Sequence, residues 1–299
     1  MDILKVNFVD FWHNFKKEDN YFFHLLRQRY DVKIDEQDPD LLFFSVDYSK
    51  RRERDKFLDH RCKKIFYTGE NVRPNFDFPG SIEYPRYSVG RCDFAFSFDY
   101  SDDPRNYRLP LWALFIDWFN APHCEDRDQS YLIPPSALLN RPTFPNTKFC
   151  NFVFSNTSGK RIEILEALMR YRHVDSCGRL RNNSGYQIKG RGDQRYKVEY
   201  LQDYKFTIAA ENTSYPGYTT EKILHPLSVG SIPIYWGSEL VKNDFNADAF
   251  INVADYDSLE ELVAQVEKID KDDDLYRRYI SAPAFNKNVI PSCTLPQNV

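Results

Sequence analysis

Residues 204–237 read Tyr204-Lys-Phe-Thr-Ile-Ala-Ala-Glu-Asn-Thr-Ser-Tyr-Pro-Gly-Tyr-Thr-Thr-Glu-Lys-Ile-Leu-His-Pro-Leu-Ser-Val-Gly-Ser-Ile-Pro-Ile-Tyr-Trp-Gly237. An apolar segment at 204–210 is followed by a polar loop, a helix-like segment from about Glu221, and a second apolar segment at 231–236. This order of strand, loop, helix and strand predicts a βαβ unit. Open α/β sheets bind ligands at the carboxyl ends of their strands, beside helix N-termini, and the polar loop would lie at such a place.

The loop and the first helical turn are dense in polar side chains. Within twelve positions they carry Glu211, Asn212, Tyr218, Glu221 and Lys222. At a ligand-binding edge these groups could contact a ligand. A solvated connection could carry the same residues, because loops run over the protein surface. The local sequence leaves both interpretations open.

A second strand end of this kind precedes Arg161. Residues 151–155 read as a strand, and the loop 156–160 leads to a helix that begins near Arg161. Loop N–H groups, Ser and Thr hydroxyls, and Lys160 or Arg161 in the first turn together suit a diphosphate. A basic residue in the first turn is unfavourable for the helix dipole, which favours a bound anion over a purely structural role.

The first half of the chain alternates strand and helix patterns. Strands are predicted at 3–9, 41–46, 64–68 and 93–98, and a helix at 18–30. Such alternation predicts an α/β fold with a mostly parallel sheet and helices on both faces. The Pro-rich run at 121–146 reads as a long connection across a domain boundary near residues 145–150. Together with the chain length, this predicts two domains, 1–148 and 149–299.

Glu70 follows one of these predicted strands, in the sequence Gly69-Glu-Asn71. A carboxylate at the carboxyl end of a strand, held by a glycine bend, is well placed to act in a cleft. Alternatively, Glu70 is a turn residue that forms only local hydrogen bonds.

Several other patterns indicate structure rather than function. The charge run at 49–56 contains two acidic residues and no aromatic ones, which favours a solvated helix face over a nucleic-acid patch. Residues 111–119 are apolar on nearly all sides and predict a buried helix. Asp272-Asp-Asp274 is interpreted as surface charge rather than a metal-binding motif, and residues 282–299 as an irregular tail.

Composition excludes several classes of protein. The net charge of −4 gives no basic footprint for nucleic acid. No run of about 18 apolar residues occurs, so we expect no membrane span and at most peripheral membrane contact. No signal peptide is visible at the N-terminus, and the six cysteines lack metal-ligand spacing, which predicts reduced thiols.

Three N-x-S sequons occur, at Asn156, Asn182 and Asn212. Two of them fall in the predicted ligand loops, where a glycan would block the site. This favours a cytoplasmic location, which could be at the inner face of the membrane.

The loop signature also resembles a known family. Glu211-Asn212, Tyr218 and Thr220-Glu-Lys222, followed by Ile232-Pro-Ile-Tyr-Trp-Gly237, closely resemble the donor-binding signature of the α1,3-fucosyltransferases. The likeness is to bacterial members that build Lewis-type glycans on lipopolysaccharide. Phe66-Tyr-Thr-Gly-Glu-Asn71 with Pro74-Asn-Phe76 is similar to the acceptor-side strand end of the family. Arg161 lies where the family has a diphosphate-binding arginine, and the similarity extends over most of residues 1 to about 280.

The resemblance implies a GT-B fold, with two Rossmann-like domains facing each other across a cleft. The C-terminal domain would hold GDP-fucose, and the N-terminal domain an N-acetyllactosamine-type acceptor. Transfer to the 3-hydroxyl of GlcNAc would invert the anomeric centre and make the Lewis x structure.

The residue types suit such a displacement. Glu70 could take the proton of the acceptor hydroxyl, and Arg161 and Lys222 could stabilise charge on the departing diphosphate. Glu221 could stabilise positive charge on the sugar ring, or it could hold ribose or fucose hydroxyls. The remaining predicted donor contacts are Asn212, Tyr218 and Ser155. Cationic side chains would take the place of a metal, and no cofactor is expected.

Pro226 departs from the expected pattern, because proline past the first turn of a helix removes a hydrogen bond and clashes with the preceding turn. We therefore expect the helix after Glu221 to be kinked or short. The sequence leaves open another sugar nucleotide, an α1,4 linkage, and a non-catalytic glycan-binding role.

Overall fold

The computed structural model describes residues 1–12, 15–46, 53–71, 92–120, 131–143, 146–178, 180–185, 188 and 194–298. The chain divides into two compact units. One comprises residues 1–114, 119–123 and 293–299, and the other comprises residues 115–118 and 124–292. The segment Pro74-Asn-Phe76, which carries part of the family resemblance, lies outside the described residues.

A parallel sheet with the strand order β2-β1-β3-β4-β5-β6 forms the first unit. Its strands are β1 (Ile3–Val9), β2 (Asp31–Ile34), β3 (Leu41–Phe44), β4 (Lys63–Tyr67), β5 (Phe94–Ser97) and β6 (Asn106–Arg108). Four of them confirm the predicted strands to within two residues at each end. The sequence patterns miss β2 and β6, because β2 buries only Val32 and β6 buries no side chain.

Aromatic rings pack on both faces of this sheet. Phe44 and Phe66 belong to the cluster on one face. On the other face, helix α1 (Tyr21–Leu26) places the Phe22 ring 5.0 Å from Phe43 and 5.1 Å from Tyr67. The predicted helix at 18–30 is therefore too long. The Asn20 side chain accepts a hydrogen bond from the Phe23 amide, and the helix begins at Tyr21, three residues later than expected.

Two further predictions for the first half of the chain hold only in part. Of the charge run at 49–56, residues 49–52 lie outside the described residues. Residues 53–57 form a 3₁₀ turn in which Asp55 and Lys56 are exposed, as expected of a solvated face, whereas Arg54 is buried and its guanidinium binds the Asp10 carboxylate at 2.8 Å. The partner lies 44 residues away, so no local pattern reveals it. The buried helix predicted at 111–119 is a 3₁₀ turn at Leu111–Phe115.

The sheet of the second unit is also parallel, in the order β11-β10-β9-β7-β8. Its strands are β7 (Lys148–Phe152), β8 (Val174–Ser176), β9 (Tyr204–Ala210), β10 (Ile232–Trp236) and β11 (Ile251–Asn252). The strand at 204–210 is confirmed at both ends, and β10 begins one residue later than predicted. The strand predicted at 151–155 instead begins at Lys148.

The second unit also contains helices. Those described are α2 (Pro135–Leu139), α3 (Arg161–Tyr171), α4 (Gln194–Leu201), α5 (Glu221–Ser228), α6 (Val241–Asp244), α7 (Leu259–Lys271) and α8 (Asp273–Ser281). The helix starts predicted at Arg161 and Glu221 are confirmed. Pro226 lies in the last turn of α5, which ends two residues later, so this helix is short. Asp272 caps α8 by accepting hydrogen bonds from the amides of Asp274 and Leu275.

The core of the second unit lies between the sheet and helices α3, α7 and α8. Fully buried side chains meet there, including Phe206 of β9, Leu168 of α3 and Val266 of α7. The two parallel sheets with their helices confirm the predicted α/β class. Among the described helices, none has the length and apolar character needed to cross a bilayer.

Candidate functional site

The carboxyl ends of β7, β9 and β10 lie together at one edge of the second sheet. Ala210 of β9 pairs with Trp236 of β10, and the Glu211 amide donates to the Trp236 carbonyl at 2.8 Å. The loop after β7 reaches the same place, since a Cβ on Gly159 would lie 3.3 Å from the Asn212 carbonyl oxygen. The two loops that the sequence singles out therefore meet.

The Glu211 carboxylate is the buried centre of this edge. It is fully enclosed, and it accepts hydrogen bonds from the Thr220 amide at 2.8 Å and the Thr220 hydroxyl at 2.9 Å. The Lys222 ammonium lies 3.0 Å from its other oxygen. These contacts bind the end of β9 to the first turn of α5. Because Thr220 is also the N-cap of that helix, Glu211 fixes where α5 begins.

Glu221 and Lys222 point into the same cluster from the first turn of α5. Glu221 lies 4.0 Å from Lys222 and 3.4 Å from Lys197 of α4. Burial works to raise the pKa of Glu221, but Lys222 and Lys197 outweigh it and hold that pKa below its usual value. Burial likewise works to lower the pKa of Lys222, and the carboxylates of Glu211 and Glu221 outweigh it and raise that pKa. Glu221 and Lys222 are therefore both charged at neutral pH.

Arg161 is the first residue of α3 and its guanidinium is buried at the same edge. Nε and Nη2 donate to the Ala210 carbonyl at 3.1 and 2.9 Å, and Nη1 donates to the side-chain oxygen of Asn156. Burial lowers the pKa of Arg161, and Glu211 and Glu221 are among the groups that oppose this shift. The structure thus brings Arg161 together with Lys222 and Glu221, as the predicted diphosphate site requires.

The other predicted donor contacts lie around this cluster. Ser155 is exposed just after β7, Asn212 is half-buried directly after Glu211, and Tyr218 is buried two residues before Thr220. The amide of Tyr218 donates to the Tyr215 carbonyl at 3.0 Å and closes a turn in the loop.

Two glycines allow the loops to approach closely. Gly159 has φ of +66°, and a Cβ there would overlap the indole ring of Trp236. A Cβ on Gly237 would lie 2.6 Å from Cγ of Glu211 and 2.5 Å from the Tyr235 hydroxyl. Glycine is required at both positions for the Glu211 cluster and the loop after β7 to reach their places.

Glu70 belongs to the first unit. It lies at the carboxyl end of β4, half-buried, and its amide donates to the Thr68 hydroxyl at 3.1 Å. Burial raises the pKa of Tyr67, and the Glu70 carboxylate adds to that shift. Glu70 therefore has the strand-end position that the sequence predicts, and its local hydrogen bond also fits the turn alternative.

Sequence reasoning missed two contributors to the site. Glu211 falls within the quoted loop, but nothing in the sequence shows that its side chain turns inward. Lys197 belongs to α4, which buries only Val198 and Leu201 and so lacks a clear helical stripe. The βαβ order predicts that Glu211 lies at the end of its strand. No local signal predicts that Lys197 reaches the site.

Among the described residues, no group of three or more His, Cys, Asp or Glu side chains is suited to hold a metal ion. Arg161 and Lys222 bring positive charge to the place where the two loops meet. Two such cations can hold a diphosphate and neutralise charge that develops on it.

Two family models match the chain. Residues 145–286 match the C-terminal part of glycosyltransferase family 10 (fucosyltransferase). Residues 6–115 match the N-terminal domain of α-(1,3)-fucosyltransferase FucT. The two matches cover both sheets and include Glu70 as well as the Glu211 cluster.

Individual relatives agree with these matches. The α-(1,3)-fucosyltransferase FucT of Helicobacter pylori is 32% identical over 296 residues, which is 88% of this chain and 56% of that protein. The chain thus spans about half the length of this relative.

Solved structures show the same likeness. A crystal structure of an α1,3-fucosyltransferase matches with a TM-score of 0.70 and 26% identity, over 95% of this chain and 83% of that one. A crystal structure of an α1,3-fucosyltransferase with GDP-fucose matches with a TM-score of 0.67 and 26% identity, over 97% and 88%. These likenesses confirm the predicted GT-B fold class.

Proposed function

Because the chain belongs to glycosyltransferase family 10, the fucosyltransferases, we propose that it transfers L-fucose from GDP-β-L-fucose to a sugar hydroxyl. The acceptor hydroxyl is the 3-hydroxyl of GlcNAc in an N-acetyllactosamine-type glycan. The displacement inverts the anomeric centre and gives the Lewis x structure, as part of a lipopolysaccharide.

The observation that supports this most directly is the charged edge of the second sheet. Arg161 and Lys222 lie beside the N-terminus of α5, where anions are favoured, and Glu211 holds Lys222 in place. A leaving nucleoside diphosphate gains negative charge as the sugar bond breaks, and preorganised cations stabilise it. GDP is the leaving group here, and these side chains supply the positive charge.

The remaining roles follow from position. Glu70 takes the proton of the acceptor hydroxyl, which a carboxylate at a strand end can do. Glu221 is held ionised by Lys197 and Lys222 and faces the positive charge that spreads over the fucose ring. Asn212 and Tyr218 order the nucleotide and sugar, and Ser155 contacts a phosphate. GDP-fucose is a substrate, so the proposal includes no cofactor.

A cytoplasmic location forms part of the proposal. Of the three sequons, Asn156 binds the guanidinium of Arg161 through its side chain, and Asn212 lies next to Glu211. A glycan on either residue would crowd the donor site, which is consistent with a chain that is not glycosylated.

The deciding experiment is a transfer assay with GDP-fucose and a panel of N-acetyllactosamine and type 1 acceptors. Proton NMR of the product gives the linkage and the anomeric configuration. In parallel, melting temperatures with GDP-fucose, GDP-mannose and UDP-galactose identify the donor. An α1,3-fucosylated product and a selective shift with GDP-fucose are expected. If another nucleotide sugar raises the melting temperature selectively, that nucleotide sugar is the donor instead of GDP-fucose. Absence of both product and stabilisation would favour a glycan-binding protein.

Two variants test the diphosphate site. Arg161→Ala and Lys222→Ala are each expected to weaken GDP binding by at least tenfold, because each removes a charge-assisted contact worth about 1.5–3 kcal/mol. Isothermal calorimetry measures the affinity. Lys268→Ala, which removes an exposed ammonium on α7, is the matched control and leaves it unchanged. Unchanged affinity in both site variants would refute the assignment.

A further inference from the structure

The charged edge of the second sheet consists of Arg161, Glu211, Glu221 and Lys222, with Lys197 beside them. The proposed function gives Lys197 no role. It projects from α4, and its ammonium lies 3.4 Å from Oε1 of Glu221. Both side chains are largely enclosed, with 18% and 14% of their surfaces exposed. A buried lysine is stable as a cation only where a carboxylate compensates it, so the pairing with Glu221 accounts for its charge.

The side chains around Lys197 come mainly from the second sheet. With Lys222 it lines a small pocket whose other walls include Phe152 of β7 and Thr207 and Ala210 of β9. The hydrogen bond from its ammonium goes to Oε1 of Glu221. Contact with Glu221 is therefore the interaction that its position supports.

Two other basic side chains lie near Glu221, but neither contacts its carboxylate as closely as Lys197 does. Lys222 is 4.0 Å from Glu221 but 3.0 Å from Glu211, so its stronger contact is with Glu211. His225 lies one turn further along α5, fully buried, and neither of its ring nitrogens has a hydrogen-bond partner. Burial holds the pKa of His225 well below its usual value, so its ring is neutral at physiological pH. Lys197 therefore makes the closest cationic contact with Glu221 among the described residues.

Resting on the proposed fucosyl transfer, we propose that Lys197 is a positioning residue: its ammonium contacts Oε1 of Glu221 and holds that carboxylate in one orientation, so that Glu221 faces the sugar of the bound nucleotide sugar. Lys197 itself does not touch the diphosphate. Its contribution is to the reaction step and not to nucleotide affinity, which distinguishes it from Arg161 and Lys222.

The charges around Glu221 predict how the pH dependence of kcat changes in Lys197→Met. Glu221 faces Lys197 on α4 and Lys222 and His225 on α5, with Arg161 of α3 and Glu211 also in the cluster. Burial raises the pKa of Glu221 and the two lysines lower it. Lys197→Met removes one of the lowering charges, so the pKa of Glu221 rises. The acid limb of the kcat profile then moves to higher pH.

The kinetic test compares Lys197→Met with Lys197→Arg. For Lys197→Met, kcat is expected to fall roughly 10–100-fold. Removing the residues that orient the ligands of catalytic metal ions has an effect of this size. KM for GDP-fucose and the Kd for GDP change less than threefold. Lys197→Arg keeps the charge and recovers most of kcat. A tenfold loss of GDP affinity, or an unchanged kcat, would overturn the proposal.

A double variant covers the case in which Lys197→Met alone disturbs folding. Lys197→Met with Glu221→Gln removes both charges and so leaves no uncompensated buried ion. Its kcat is expected to equal that of Glu221→Gln alone, because Lys197 acts through Glu221. A further tenfold loss in the double variant, with a parent-like melting temperature, would contradict this.

A measurement that does not depend on turnover completes the test. The ¹³C carboxyl resonance of Glu221, assigned by its loss in Glu221→Gln, is titrated in the parent and in Lys197→Met. The midpoint is expected to be higher in the variant than in the parent, and equal midpoints would overturn the pairing. If the parent shows no fucosyl transfer, the proposed function fails, while this titration still decides whether Lys197 holds Glu221.

Discussion

Replacing Glu211 with glutamine tests whether one buried carboxylate organises the charged edge. The variant keeps the shape of the side chain and one oxygen, which can still accept from the amide and hydroxyl of Thr220. The second oxygen becomes an NH₂ group that faces the Lys222 ammonium, 3.0 Å away in the parent. Two donors then face each other, and the Lys222 charge loses its closest partner.

The size of the effect follows from the burial of the two partners. Breaking a fully buried ion pair on one side costs about 3–5 kcal/mol. The Lys222 side chain is 24% exposed, so water still hydrates part of its ammonium. The cost is therefore at the lower end of this range or below it. We expect a loss of about 2–3 kcal/mol, which is a fall in Tm of roughly 4–12 °C for a unit of this size.

Thermal unfolding followed by tryptophan fluorescence measures the change, and Trp236 lies next to the altered side chain. Glu239→Gln makes the same chemical change at an exposed position and is expected to shift Tm by no more than roughly 2 °C. Equal shifts for the two variants would refute the reasoning, because they would show that the Glu211 contacts add no stability beyond that of a surface carboxylate.

Three further outcomes are expected. Glu70→Gln should keep GDP-fucose affinity and lose about 10²–10⁴-fold in kcat, since the general base is removed; transfer at the parent rate would show that another group takes the proton. Gly159→Ala should be more destabilising than Gly185→Ala in urea unfolding, because both have φ of +66° but only Gly159 meets the Trp236 ring; equal losses would contradict the close approach. The pKa of Glu221 is lower in the folded chain than the unfolded value near 4.3, so its stabilising contribution is present above about pH 4 and lost as pH falls. Glu221→Gln should therefore flatten the stability curve below about pH 5, and a curve parallel to that of the parent would disprove the shift.

The elements that the sequence predicted best are those whose signals are local. The strand at 204–210 is a continuous apolar run, and the helix at Glu221 follows Thr220, whose side chain caps it. The sequence predicted the last residue of the strand, Ala210, and the first residue of the helix, Glu221, and these are the ends that border the site. The position of Arg161 followed from the same kind of local pattern.

The predictions that failed depended on distant partners. Arg54 is buried because Asp10 lies opposite it, and no local pattern distinguishes it from its exposed neighbours Asp55 and Lys56. Helix α1 ends before the predicted residue 30, because the chain after it turns into β2, an edge strand with little apolar character. The inward direction of Glu211 and the presence of Lys197 beside Glu221 likewise depend on packing between elements.

The Glu211 cluster has a consequence for how the protein folds. Its partners Thr220 and Lys222 lie only 9 and 11 residues further along the chain, so the loop that their contact closes is short. Loop-closure entropy grows with loop length, and contacts between near neighbours in sequence form at little entropic cost. The Asp10–Arg54 pair closes a loop of 44 residues and carries a larger cost. The contacts of Glu211 with Thr220 and Lys222 can therefore form early, as a local unit of β9 and the first turn of α5, before Arg161 joins them from 49 residues away.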